Sequence, residues 1–232
     1  MFRWELTAGT AAELALLACL WATVGLGVPG LLTGTTYAVV SWGVLSVAFR
    51  RPRTERFGPA NAVTLVRVVL IAPVTALAAD NLGRTAPAAL VAFAAVALVL
   101  DTVDGRVARA TGTSSELGGR FDIEVDAFLV LVLSGFVAAL LGGWVVAIGC
   151  LRYVFVAASW AAPWLRGPLP PSQARKLVGV YQGVALLVAG SGLLPRAAAT
   201  TLVALALASL VWSFGRDVVR LWLVSNQDLR TL

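Results

Sequence analysis

Four aspartates stand at spacings that would let them act together. Read as helix, Asp101, Asp104, Gly105 and Ala108 fall at i, i+3, i+4 and i+7, so two carboxylates share a face with two nearly bare positions. Gly112 suits the residue just past a helix end. Thr113 and Glu116 then have the spacing of a capping box, which starts a second helix near Ser114. On that helix Gly118, Asp122 and Asp126 recur at i, i+4 and i+8. Two antiparallel helices joined by so short a turn can face each other, bringing four carboxylates beside a floor of glycine and alanine. Their four negative charges would be neutralised by two divalent cations, and oxygen-only ligation suits Mg²⁺ or Mn²⁺. Two such ions clamp a diphosphate and stabilise the entering and leaving oxygens of a displacement at phosphorus. The small residues would let a nucleotide lie close to the backbone. A solvated acidic loop would have no need of the shared-face spacing.

These helices belong to a chain made for a bilayer. Of its 232 residues, 59% are hydrophobic and 13% charged, with a mean hydropathy of +0.87, whereas soluble domains carry roughly 25% charged residues. Apolar stretches near the roughly 20 residues of a bilayer span follow one another closely. The expected fold is an all-α integral membrane protein with about eight transmembrane helices, near residues 10–28, 31–49, 61–79, 87–109, 114–141, 144–164, 174–191 and 197–222, the first two joined by a tight turn at Pro29 and Gly30. The run from Ala11 to Val28 is too long for a signal-peptide core and is read as a retained span.

Charge distribution gives the orientation. The net charge of +6 does not point to nucleic acid, because the basic residues sit mostly at the ends of apolar runs, where they set topology and meet lipid head groups. With Arg50, Arg51, Arg53 and Arg56 in the cytoplasm, alternation puts most other basic residues on that side and leaves Arg84 and Arg196 opposite. The expectation is a multi-pass protein of the plasma membrane with both termini in the cytoplasm. Six of the 12 acidic residues fall between Asp101 and Asp126, where carboxylates need partners or metal. There is no histidine, so acid–base work falls to carboxylates. Cys19 and Cys150 lie in apolar runs and are expected to be buried free thiols. Trp160, Trp164 and Trp222 are read as interfacial belt residues.

The aspartate segment resembles the CDP-alcohol phosphotransferases, whose pattern D-x2-D-G-x2-A-R-x8-G-x3-D-x3-D is met here by Asp101, Asp104, Gly105, Ala108, Arg109, Gly118, Asp122 and Asp126. At about 6% frequency for each charged residue type, the four aspartates alone would recur by chance on the order of once per 10⁵ starts. The resemblance implies transfer of a substituted phosphate group, with CDP-diacylglycerol as the expected donor, onto an alcohol with release of CMP, in phospholipid biosynthesis. It also implies that Asp101, Asp104, Asp122 and Asp126 hold two divalent cations, with Asp126 as the base that deprotonates the acceptor. Gly105, Ala108 and Gly118 would face the CDP moiety, with Arg109 as a nearby charge partner. A homodimer with a cytosol-facing site is expected.

By that resemblance the six-helix core spans residues 58–232, after a two-helix extension at 1–49 and a basic linker at 50–57. Nothing in 1–49 resembles a ligand or a base, so these helices are expected to serve packing, oligomer contacts or lipid access. Asn61, Thr64 and Arg67 echo the family's entry into its first core helix, and Arg67 is read either as a substrate residue or as an arginine snorkelling to the interface. Arg152, Arg175 and Lys176 are candidates for a phosphorylated acceptor, against lipid-head-group anchoring. Two rival classes make different demands on the sequence. An aspartate-rich prenyl-diphosphate transferase would need its acidic motifs on separated helices, and a cation transporter would need acidic residues within several spans.

Overall fold

The computed structural model describes residues 2–48, 59–111, 116–167, 169–170 and 172–228, and within these the side chains of 2–6, 47–48, 59–61, 103–111, 116–118, 120 and 227–228 lie outside the description. The described residues form eight α-helices and no strand: α1 (Phe2–Val24), α2 (Val28–Ala48), α3 (Pro59–Asp80), α4 (Ala88–Thr111), α5 (Glu116–Leu141), α6 (Val146–Ala161), α7 (Gln173–Gly190) and α8 (Arg196–Asp228). Short 3₁₀ turns at Gly143–Val145 and Pro163–Arg166 flank α6. This is an all-α membrane protein.

The centre of the bundle is α3, which packs against α1, α2, α4 and α5. Its consecutive residues Ile71 and Ala72, together with Val74, Ala76 and Leu77, are fully buried, as expected of a helix enclosed on all sides. Beyond it, α5 carries the packing to α6 and α7, and α8 closes over α7. Outer helices present apolar side chains such as Trp21, Val39, Trp160 and Leu205 to where lipid tails would lie.

Among the described residues six helices are long and apolar enough to cross a membrane, where about eight spans are expected from sequence. The other two are α4, whose side chains are described only to Thr102, and α7, which opens with Gln173, Arg175 and Lys176.

Two local expectations are corrected. The turn between α1 and α2 occupies Gly25 to Gly27, with Gly25 in the left-handed region at φ +74° and its N–H donating to the carbonyls of Leu20 and Trp21. Pro29 and Gly30 lie inside the first turn of α2, where proline's missing donor costs no helical hydrogen bond. The Asp80 carboxylate, from the end of α3, accepts from the Gly27 N–H at 3.0 Å and thus sits at the positive end of α2. Cys19 is exposed, because its position on α1 turns away from α2 and α3. The capping box and the linker 50–57 lie outside the described residues.

Small residues let α2 approach closely. A Cβ on Gly30 would stand 2.9 Å from the Ala76 carbonyl oxygen, and one on Gly34 would stand 2.7 Å from Leu17 Cδ2 and 3.0 Å from Ala76 Cβ. Glycines four apart on one helix face are a common means of close packing in membranes.

Candidate active site

The start of α3, the end of α4 and the start of α5 meet at one end of the bundle. Asp122 and Asp126 lie one turn apart on α5, so both point the same way, and Asp101 faces them from α4. One oxygen from each of these three carboxylates lies within 4.8 Å of the others. The helix register that places Asp104, Gly105 and Ala108 on the face of Asp101 runs unbroken to Thr111. The side chains of Asp104, Ala108 and Arg109, and the surroundings of Gly105 and Gly118, lie outside the described residues.

Arg67, two turns into α3, reaches all three described aspartates. Its Nη1 lies 3.1 Å from Asp101 Oδ1 and donates to Asp122 Oδ1 at 2.5 Å, and its Nη2 pairs with Asp126 Oδ1. The arginine side chain is 0% exposed, while those of Asp101, Asp122 and Asp126 are 23%, 30% and 38% exposed. The snorkelling reading of Arg67 is therefore wrong, and the reason is tertiary: its counter-charges lie inward, on α4 and α5. A buried guanidinium is tolerated only when paired, and its planar fork can serve several carboxylates at once. Three carboxylates and one guanidinium leave two negative charges, the amount one divalent cation neutralises. The donor set is all oxygen, it converges, and its rim is open, so it fits Mg²⁺ or Mn²⁺.

The basic candidates fall elsewhere. Arg152 on α6 pairs with Glu124, which sits on α5 between two site aspartates but on another face. Arg175 lies 3.5 Å from Asp217 of α8 and donates to the Pro170 carbonyl. Beside it, Arg216 donates to Ser172 at 3.4 Å and stacks over Trp212. Ser172 caps α7 by accepting from the Arg175 N–H. Lys176 is exposed in the same turn. Gln182, buried deeper along α7, donates to the Ala206 carbonyl at 2.9 Å and holds α8 in place.

The family model for CDP-alcohol phosphatidyltransferase matches residues 57–215, more than half of the chain and including every aspartate of the cluster. The chain belongs to the CDP-alcohol phosphatidyltransferase family. No curated protein and no solved structure gives a significant match. As a CDP-alcohol phosphatidyltransferase family member it is a transferase of phosphate-containing groups, taking a CDP-alcohol donor and an alcohol acceptor. The matched segment begins just before α3, so α1 and α2 precede it.

Sequence reasoning missed two contributors near the site. The Tyr37 hydroxyl of α2 donates to the Val68 carbonyl of α3 at 3.0 Å, one residue beyond Arg67. Its ring also packs against Phe128, two residues beyond Asp126, with centroids 5.2 Å apart. Glu13 of α1 is 2% exposed, its carboxylate oxygens each 3.3 Å from Ser41 Oγ of α2. A tyrosine in an apolar run carries no sequence signal for such a role, but Glu13 does: it is a lone carboxylate well inside a span.

Proposed function

We propose that the protein transfers a phosphatidyl group from CDP-diacylglycerol to an acceptor alcohol with release of CMP, as a step of phospholipid synthesis. The observation that carries this reading is the convergence of Asp101, Asp122 and Asp126 within the family-matched segment. In the reaction the acceptor oxygen attacks the phosphatidyl phosphorus, the bond from that phosphorus to the CMP oxygen breaks, and the hydroxyl proton passes to a carboxylate. Asp126 is assigned as that base; its side chain is the most exposed of the three at 38%, which suits contact with an incoming hydroxyl. Asp101, Asp104, Asp122 and Asp126 would hold two Mg²⁺ or Mn²⁺ ions, which when bound neutralise the diphosphate and the departing CMP oxygen. Gly105, Ala108, Arg109 and Gly118 are assigned to the CDP moiety. Arg67 offsets the mutual repulsion of the aspartates and holds their carboxylates toward one point.

The catalytic core is assigned to residues 58–232, after the extension 1–49 and the linker 50–57. The concentration of basic residues at the site end favours a cytoplasm-facing site in the plasma membrane, both termini cytoplasmic, and the working unit is taken as a homodimer. Arg175 and Lys176 at the start of α7, with Arg152, are the candidates for binding a phosphate on the acceptor. Family membership weighs against the prenyl-diphosphate transferase and the cation transporter.

The test is CMP release from CDP-diacylglycerol by the purified protein against glycerol 3-phosphate, inositol 1-phosphate, inositol, serine and a second lipid. One acceptor should support turnover that EDTA abolishes and Mg²⁺ or Mn²⁺ restores. Turnover that survives complete chelation would remove the metal assignment, and silence with every acceptor would remove the donor assignment.

A further inference from the structure

The two helices outside the family match are joined to the site by specific polar and aromatic contacts. The Tyr37 hydroxyl gives a second hydrogen bond to a helical carbonyl, which has two lone pairs and can accept it without breaking the α3 ladder. That carbonyl belongs to Val68, next to Arg67. The Tyr37 ring rests on Phe128, half a turn along α5 from Asp126. One side chain of α2 thus touches the two helices that carry Arg67, Asp122 and Asp126. One turn further along α2, Ser41 contacts the buried Glu13 and ties α1 into the same assembly. Gly30 and Gly34 allow the close approach these contacts need. A buried carboxylate is a costly tie for helices whose only task is to fill a bilayer.

We propose that α2 is part of the active-site scaffold through Tyr37, a positioning residue that sets Arg67 against the α5 aspartates. This departs from the packing role expected for residues 1–49. It rests on the proposed metal-dependent transferase reading, in that the aspartates positioned are the assigned metal ligands. The Tyr37 hydroxyl is engaged by the Val68 carbonyl and its ring by Phe128, not by the aspartates. Tyr37 acts through the register of α3 against α5, on which the convergence of Asp101, Asp122 and Asp126 depends.

The experiment uses the full chain in detergent, with Mn²⁺ binding followed by the EPR signal of free Mn²⁺ and CMP release measured separately. Tyr37→Leu removes both contacts and Tyr37→Phe only the hydrogen bond. Leu17→Ala, in the buried α1–α2–α3 packing but remote from Arg67, is the stability control. Tyr37→Leu is expected to weaken Mn²⁺ binding about tenfold and lower kcat by about tenfold to a hundredfold, with acceptor KM little changed. Tyr37→Phe should fall between it and the wild type, and it carries the test if Tyr37→Leu does not fold. Leu17→Ala should lower thermal stability and leave Mn²⁺ affinity and kcat per folded protein as they were. Wild-type Mn²⁺ affinity in a folded Tyr37→Leu, or equal losses in Leu17→Ala, would overturn the proposal. Tyr37-dependent Mn²⁺ binding without any CMP release would instead overturn the transferase reading and leave the positioning role standing.

Discussion

Arg67 and Arg175 carry the same guanidinium into two regions that treat it in opposite ways. Arg67 is fully buried and shared among three carboxylates from two other helices. Arg175 is 33% exposed, with one carboxylate at 3.5 Å and one carbonyl as partners. The first has given up its hydration and depends on its neighbours, as they depend on it. The second keeps water and holds a partner that solvent screens, so it can exchange that partner for a ligand at little cost. A charge locked from several sides belongs to a frame, whereas one held loosely is open to exchange.

The contrast can be broken most sharply at the frame. Asp126→Asn should lower turnover by roughly 10²–10⁴-fold, the usual loss for a general base, while CDP-alcohol binding survives better than in Asp101→Asn. A near wild-type rate for Asp126→Asn would take the base assignment away from it. Arg67→Ala removes one member of a buried charge group, a change that typically costs about 3–5 kcal/mol. Its thermal midpoint in detergent should fall most in EDTA and recover partly with Mg²⁺, because a cation can take over the neutralisation. A midpoint that ignores both the substitution and the ion would show that Arg67 is not part of the frame.

At the start of α7 the effects should be smaller and selective. If the acceptor carries a phosphate, replacing Arg175 and Lys176 together by alanine should raise acceptor KM about tenfold, with donor KM little changed, since charge-assisted hydrogen bonds to one anion would be lost. Equal effects on both substrates, or none, would return this turn of α7 to anchoring lipid head groups.

The helices were legible from apolar run length, and the register of Asp101, Asp122 and Asp126 followed from helical spacing alone. Both signals are local, as are the features that end a helix, although Pro29 shows how a residue that suits a turn suits a helix start equally well. Arg67 was ambiguous because sequence gives its depth in the membrane and not the direction of its counter-charges. Tyr37 was invisible because its partner is a backbone carbonyl, which every residue possesses and no residue type announces. Cys19 was misplaced for a related reason: in an apolar helix, composition does not distinguish the face toward protein from the face toward lipid.

The open side of α4 has a consequence for the surrounding bilayer. Val96 and Val99 are exposed, and Asp101, two residues beyond Val99, stands roughly 200° further round the helix. One helix therefore separates lipid tails on its outer side from the carboxylates on its inner side. A lipid-anchored donor could keep its tails against Val96 and Val99 while its head group passes round α4. Val99→Trp should then slow turnover with the lipid donor while metal binding stays constant, and an unchanged rate would show that the donor does not lie along this side of α4.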